Sequence, residues 1–205
     1  MNIGAWNLIL IIVKIYIFRH GETTYNRARR FTGFDDPPLT ELGWQQAKII
    51  AEKLKDKNFG IAYQTSLQRS KDTLKAVLQY HPDCREIIED NRMIERNYGQ
   101  LNGSTHEEFI AKNGEEKFNL IHRGFFEAPP SGESFAMVET RVQSFIDDLL
   151  AKIRLENKNA VLSAHGNSIR LFRKIMENAS KDEATMWFIP YDKVFEYTIK
   201  GWLRL

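Results

Sequence analysis

Two histidines, His20 and His165, closely follow short apolar runs, and each stands directly before a glycine. The runs are KIYIF at residues 14–18 and AVLSA at residues 160–164, and both are typical of buried strands. Ligands of open α/β sheets bind beyond the carboxyl ends of strands, where the connections diverge. The two imidazoles are therefore expected to face each other across one crevice.

The residues expected around these histidines suit a phosphoryl group. Arg19 and Arg69 carry planar guanidinium donors that can hold phosphate oxygens in pairs, and Asn26 adds a neutral donor. A phosphoryl group in transit carries negative charge on its equatorial oxygens, so catalysis rests on a positive, pre-oriented cradle. His20 can attack phosphorus when a backbone acceptor holds the proton of its other ring nitrogen. Glu95 can give a proton to the departing oxygen.

The elements that must position these groups follow from the alternation of apolar runs with amphipathic stretches. This pattern predicts a three-layer α/β/α sandwich with a mostly parallel central sheet. Further strands are expected at residues 60–63, 86–89 and 194–199. Helices are expected at residues 42–57 with Thr40 as N-cap, from a cap at Ser66 or Thr65 onward, at residues 133–156 and at residues 167–176. Residues 92–132 contain several glycines and prolines and are expected to form loops with one short helix near residues 107–113.

Length and charge limit the class of protein. The chain has 205 residues and a formal net charge of +2, which favours one domain and argues against an electrostatic grip on nucleic acid. One cysteine, Cys84, excludes an intrachain disulfide and favours a reducing, cytoplasmic setting. The apolar start is interrupted by Lys14 and is too short for a membrane span. Residues 14–205 are expected to form a single domain, and residues 1–13 an extra segment that is disordered or precedes the natural start.

Five segments, taken in order, carry a family resemblance. They are RHGETTYN at residues 19–26, RFTG at residues 30–33, LTELG at residues 39–43, ERNYGQLNG at residues 95–103 and HGNSIR at residues 165–170. Together they resemble the histidine phosphatase (phosphoglycerate mutase-like) superfamily over residues 14–199. Within it they are most similar to the short form of the 2,3-bisphosphoglycerate-dependent phosphoglycerate mutases.

The resemblance implies phosphoryl transfer through a phosphohistidine at His20, with 2- and 3-phosphoglycerate interconverted and 2,3-bisphosphoglycerate as the primer. It implies that Arg19, Arg69 and His165 hold the phosphoryl group and that Glu95 is the acid–base. The substrate would be bound by Asn26, Thr32, Gly33, Tyr98, His106, His122, Arg123, Gly166 and Asn167. No metal is expected, since cationic side chains replace it. The expected partner is a small phosphorylated metabolite, with no nucleic acid and no membrane, and the expected state is a monomer or a homodimer.

Three departures from the family pattern qualify these expectations. His106 and His122 stand where the mutases place a lysine and an arginine. An imidazole is a weaker anion partner near neutral pH, so substrate binding is expected to be weaker and more acid-favoured between pH 6 and 8. The stretch at residues 124–132 is short, as in compact members. The chain also stops at Leu205, without the C-terminal tail of many mutases, so water is expected to reach the phosphohistidine and to cause side phosphatase activity.

Alternatives remain open at this point. The first is a metal-independent histidine-type phosphomonoesterase acting on a small phosphorylated metabolite. Such an enzyme would use the same site as a mutase, but a different molecule would accept the phosphoryl group from His20. The second is a catalytically inactive module that binds a phosphorylated ligand, since fold does not guarantee chemistry. The five histidines show no helical i, i+4 pairing with a carboxylate partner, which argues against a metal site.

Overall fold

A five-stranded sheet forms the centre of the protein. The structure is a computed structural model that describes residues 8–204. The strands are β1 (Leu8–Arg19), β2 (Ile61–Gln64), β3 (Glu86–Glu89), β4 (Ala160–Ala164) and β5 (Val194–Arg204), in the spatial order β3-β2-β4-β1-β5. The pairs β2–β3, β2–β4 and β1–β4 are parallel, and β5 is antiparallel to β1. The predicted fold class, an α/β structure with a mostly parallel central sheet, is confirmed.

Eight helices among the described residues connect and cover the strands. They are α1 (Thr24–Arg27), α2 (Glu41–Leu54), α3 (Gln68–Leu78), α4 (His106–Asn113), α5 (Glu115–Arg123), α6 (Phe135–Glu156), α7 (Gly166–Glu177) and α8 (Lys181–Met186). None of the helices formed by residues 8–204 is long and apolar enough to cross a membrane.

Alternate residues of the central strands pack into two separate apolar cores. Ile17 and Leu162 belong to the core under α6 and α7, whereas Phe18 and Val161 belong to the core under α2 and α3. Successive side chains of a strand point to opposite faces, so a strand covered on both faces is apolar throughout. The sheet is therefore the middle layer of three.

The long helix α6 confirms the helix that the apolar periodicity predicts. Its apolar residues step by three and four positions, and all five predicted stripe residues are buried in the core: Phe135, Val138, Val142, Phe145 and Leu149. Ser134 caps the helix by accepting a hydrogen bond from the Met137 amide, and Thr40 caps α2 in the same way. Helices α6 and α2 thus cover opposite faces of the sheet.

Strands β1 and β5 are longer than predicted. They pair from Leu8↔Arg204 to Phe18↔Val194, so β1 begins six residues before the predicted start and β5 ends five residues after the predicted end. Ile11 and Val13 are buried, which explains why the pairing continues. Of the predicted extra segment, residues 8–13 thus belong to β1, and residues 1–7 lie outside the described residues.

Three helices were not predicted, α1, α5 and α8. In the region expected to hold one short helix, α4 is followed directly by α5, whose Ile121 is buried against Phe31 and Tyr98. Each of these helices has too few apolar positions for a recognisable period, and each is stabilised by tertiary packing. Helix α5 carries His122 and Arg123, which line the candidate site, and the carbonyl oxygen of Thr185 in α8 accepts a hydrogen bond from Arg123.

Candidate active site

The structure brings His20 and His165 together at one edge of the sheet. Strands β1 and β4 are parallel neighbours with Arg19 opposite Ala164, so the residue after each strand lies side by side. The ring centroids of the two histidines are 5.0 Å apart, with an angle of 57° between the ring planes. Both side chains are buried.

His20 is held in one tautomer. Its Nδ1 lies 2.7 Å from the carbonyl oxygen of Gly21, so Nδ1–H donates and Nε2 keeps its lone pair. Burial, the Arg69 guanidinium and the Arg19 guanidinium lower the pKa of His20 well below its usual value. The imidazole is therefore neutral near pH 7, as a nucleophile must be.

The loop that follows His20 packs directly on the first turn of α2. A Cβ on Gly21 would lie 2.2 Å from the carbonyl oxygen of Gly43, and a Cβ on Gly43 would lie 2.1 Å from the carbonyl oxygen of Glu22. Only glycine allows two backbones to approach this closely. The contact fixes the backbone that carries the nucleophile.

His165 is the N-cap residue of α7 and is positioned by Thr65. The Thr65 hydroxyl oxygen lies 2.8 Å from Nε2 of His165. Burial, followed by Arg69 and His20, lowers the pKa of His165 well below its usual value. The expected role of Thr65 or Ser66 as the cap of α3 is wrong, because that helix begins after Leu67 with no side-chain cap. The hydroxyl of Thr65 contacts the second histidine instead.

Arg69 is 1% exposed and ties the site to the loop after α1. Its Nη1 donates to the carbonyl oxygen of Asp35 over 2.6 Å and lies 3.4 Å from Asp36 Oδ1, and its Nη2 donates to the carbonyl oxygen of Gly33 over 2.9 Å. Burial lowers the pKa of Arg69 from its usual value. Its Nε is buried and has no partner among the described residues.

Arg19 approaches from the end of β1. Its Nη1 donates to the carbonyl oxygen of Ile189 over 3.1 Å, and its guanidinium carbon lies 4.0 Å from the ring centroid of Tyr191. The Nε of Arg19, like that of Arg69, is buried without a hydrogen-bond partner in the described part of the chain. Buried donors without partners are rare, and two of them beside neutral imidazoles form a ready site for an anion.

Glu95 is held by backbone amides. Its Oε1 accepts hydrogen bonds from the amides of Arg96 and Asn167, over 2.8 Å and 3.1 Å. Its other oxygen points toward Gly166, where a Cβ would lie 3.6 Å from Oε2 and 3.5 Å from the guanidinium carbon of Arg19. One carboxylate oxygen is thus fixed, and the other lies, like the Arg19 guanidinium, beside Gly166.

A cavity of about 240 Å³ opens above these groups. Arg19 and Glu95 line it, whereas His20, His165 and Arg69 are more deeply buried and do not. All nine residues expected to bind substrate line this cavity: Asn26, Thr32, Gly33, Tyr98, His106, His122, Arg123, Gly166 and Asn167. No group of three or more His, Cys, Asp or Glu side chains that could hold a metal ion occurs within residues 8–204.

His106 and His122 pack in an aromatic cluster rather than projecting as cations. The ring centroid of His106 lies 4.6 Å from that of Phe31, and the ring centroid of His122 lies 4.9 Å from that of Phe118. Burial and nearby arginines lower the pKa of His106 to about 4 and that of His122 to about 2. Neither ring titrates between pH 6 and 8, so the acid-favoured binding expected in that range does not follow from them.

Comparison with known proteins assigns the family. The model of the histidine phosphatase superfamily (branch 1) matches residues 15–201. The chain belongs to this superfamily. The 2,3-bisphosphoglycerate-dependent phosphoglycerate mutase 2 of Gloeobacter violaceus is 34% identical over 191 residues, which is 91% of this chain and 87% of that protein.

Solved structures with differently named activities resemble the chain. A mycobacterial glucosyl-3-phosphoglycerate phosphatase matches with a TM-score of 0.73 and 25% identity, over 85% of this chain and 84% of that one. A phosphoglycerate mutase from Bacillus anthracis matches with a TM-score of 0.75 and 21% identity, over 95% and 93% of the two chains, which shows the shared fold. Membership of the superfamily thus leaves mutase and phosphatase activity to be distinguished.

Several residues at the site are not among those that the sequence pattern predicts to act there. Thr65 is predicted only as a possible helix cap, and Arg170 lies in the HGNSIR segment with no predicted role. Arg170 lines the cavity, as do Arg29 and Tyr191. A signal for Arg170 was present, because it follows Gly166 by four positions and residues so spaced share one face of a helix.

Proposed function

We propose that this chain transfers a phosphoryl group through a phosphohistidine at His20, interconverting 2- and 3-phosphoglycerate. The observation that supports this proposal best is the pairing of neutral His20 with two buried guanidinium Nε donors, of Arg19 and Arg69, that have no partner among the described residues. A nucleophile beside cationic donors that can hold an anion is the arrangement that phosphoryl transfer requires.

Each residue of the site has a separate role in the proposed phosphoryl transfer. Nε2 of His20 forms a bond to phosphorus as the bond from phosphorus to the substrate oxygen breaks, while Arg19, Arg69 and His165 hold the phosphoryl group. Glu95 gives its proton to the departing oxygen. In the second half the acceptor hydroxyl returns a proton to Glu95 and takes the phosphoryl group from His20.

The residues present fit 2,3-bisphosphoglycerate as the primer, which supplies the phosphoryl group that first charges His20. The side chains that line the cavity include five arginines and only one carboxylate, Glu95. The arginines are Arg19, Arg29, Arg30, Arg123 and Arg170. Such an excess of positive charge suits a small molecule with several negative groups.

A second candidate is a metal-independent phosphomonoesterase that acts on a small phosphorylated metabolite. Two observations favour it: His106 and His122 are neutral where mutases carry cations, and the fold resembles that of a phosphatase. Water would then take the phosphoryl group from His20, with Glu95 accepting the proton of that water.

Incubation with 3-phosphoglycerate and a catalytic amount of 2,3-bisphosphoglycerate separates the two candidates. We expect 2-phosphoglycerate to appear, with slower release of inorganic phosphate, both followed by phosphorus NMR. Inorganic phosphate without 2-phosphoglycerate would favour the phosphomonoesterase. The matched control is His20→Ala, which should abolish both products, and retention of either product would contradict the role given to His20.

A further inference from the structure

Two arginines, Arg123 and Arg170, converge on one short segment at the wall of the cavity. Nη1 of Arg123, at the end of α5, donates to the carbonyl oxygen of Thr185 over 2.7 Å. Nε of Arg170, on α7, donates to the carbonyl oxygen of Trp187 over 2.7 Å. The two acceptors are only two residues apart at the end of α8, so both guanidinium groups are anchored beside each other.

These two arginines lack a carboxylate partner among the described residues, in contrast to Arg173 on the same helix as Arg170. Arg173, one turn further along α7, pairs with Glu177, but neither Arg123 nor Arg170 forms an ion pair with any carboxylate of residues 8–204. Arg170 is only 9% exposed. Burial and the charge of Arg123 lower the pKa of Arg170 to about 10, which shows that the two positive charges repel each other.

The guanidinium of Arg170 lines the cavity and still has donor capacity. Its Nη1 donates to Asn167 Oδ1, and its Nη2 has no hydrogen bond among the described residues. A buried cation without a counter-charge is unfavourable unless an anion is bound beside it. A planar guanidinium with a free edge suits a carboxylate or a phosphate.

We propose that Arg170 is a substrate-binding residue that, with Arg123, holds a second negative group of the substrate while its phosphoryl group reaches His20. The substrates are accordingly phosphomonoesters that also carry a carboxylate or a second phosphate. This inference rests on the proposed phosphoryl transfer at His20, and it applies equally to a mutase and to a phosphatase. It assigns to arginines the anion contact that the neutral His106 and His122 do not supply.

The test compares two substrates in each protein sample. 3-Phosphoglycerate carries a second negative group, and p-nitrophenyl phosphate does not. For Arg170→Gln we expect kcat/KM for 3-phosphoglycerate to fall about 10- to 100-fold, as for loss of a charge-assisted hydrogen bond, while kcat/KM for p-nitrophenyl phosphate changes less than about threefold. The ratio of the two values does not depend on the fraction of folded enzyme.

Two further variants sharpen the test. Arg170→Lys keeps the charge but loses the planar fork, so it should lie between wild type and Arg170→Gln. Lys174→Gln removes one positive charge from the same helix at a side chain paired with Glu139, and it should leave the ratio unchanged.

Three results would overturn the inference. The first is an equal loss of kcat/KM for both substrates in Arg170→Gln, which would mean that Arg170 only positions Asn167. The second is no loss of kcat/KM for either substrate in Arg170→Gln. The third is the same change in the ratio of the two values in Lys174→Gln. Failure of wild type to turn over either substrate would instead contradict the proposed function. Titration calorimetry then measures the affinity of wild type and of Arg170→Gln for 3-phosphoglycerate and, separately, for inorganic phosphate. A preference for 3-phosphoglycerate that survives in Arg170→Gln would overturn the inference there.

Discussion

Three histidines, the buried His20 and His165 and the half-buried His122, should make the protein lose stability as the pH falls from 7.5 to 5.5. Burial lowers the pKa of each in the folded protein, to about 2 for His122. In the unfolded chain an imidazole has a pKa of about 6.5. Below that pH the unfolded state binds protons that the folded state does not, so the free energy of unfolding falls with falling pH.

The size of this loss follows from the unfolded-state pKa. At pH 5.5, one unit below that pKa, each histidine that stays neutral in the folded protein lowers the free energy of unfolding by about 1.4 kcal/mol. His122, whose folded-state pKa is about 2, contributes this full loss, and His20 and His165 add losses of the same sign, against the roughly 5–15 kcal/mol of a typical domain. His106, whose pKa is lowered to about 4, also stays neutral at pH 5.5 and adds a loss of the same sign. Unfolded carboxylates protonate near pH 4 and contribute little in this window.

Urea unfolding at pH 7.5, 6.5 and 5.5, followed by circular dichroism, measures the effect. His122→Phe removes one of the three titrating groups and places a ring of similar shape against Phe118, so its loss over this range should be smaller by about 1.4 kcal/mol. Phe118→Leu disturbs the same cluster without removing a proton site, and it should keep the full pH dependence. A wild-type free energy of unfolding that is constant from pH 7.5 to 5.5 would refute this reasoning, as would an unchanged pH dependence in His122→Phe.

Three further predictions concern the positioning of the site. Thr65→Val removes the hydroxyl that contacts Nε2 of His165 and should lower kcat for p-nitrophenyl phosphate about 10-fold without shifting the urea midpoint; an unchanged kcat would contradict this. Gly43→Ala places a methyl group 2.1 Å from the Glu22 carbonyl oxygen and should reduce the free energy of unfolding by about 1–3 kcal/mol; a wild-type urea midpoint would show the contact to be unimportant. Glu95→Gln should lower kcat/KM for 3-phosphoglycerate about 100- to 10,000-fold but affect p-nitrophenyl phosphate less, because nitrophenolate leaves without a proton; equal losses would exclude the acid role.

The fold was predictable where hydrophobic burial alone decides the structure. Strands β3 and β4 occupy the predicted residues, and the stripe of α6 is buried as expected. Helices α5 and α8 were not predictable in this way, because they are short and mostly polar and depend on neighbours distant in the sequence. The extension of β1 depended on a partner, β5, that itself continues beyond the predicted end.

The side chains at the site were predictable by type and order, but their electrostatics were not. The proximity of His20 and His165 follows from their places after two parallel strands. That His106 and His122 are neutral follows from their packing with Phe31 and Phe118, which no local pattern shows. The anchoring of Arg170 beside Arg123 without a carboxylate partner is likewise set by the folded protein, although the spacing of Arg170 from Gly166 already places the two residues on one helix face.

The central claim, that His20 carries the phosphoryl group, is tested most directly by mapping the phosphorylated residue. Brief exposure to 2,3-bisphosphoglycerate, quenching in alkali and peptide mass spectrometry should locate one acid-labile phosphoryl group on His20. It should be absent from His20→Ala, and His165→Ala should acquire it more slowly. A phosphoryl group on another residue, or none on wild-type protein that turns over substrate, would contradict the account.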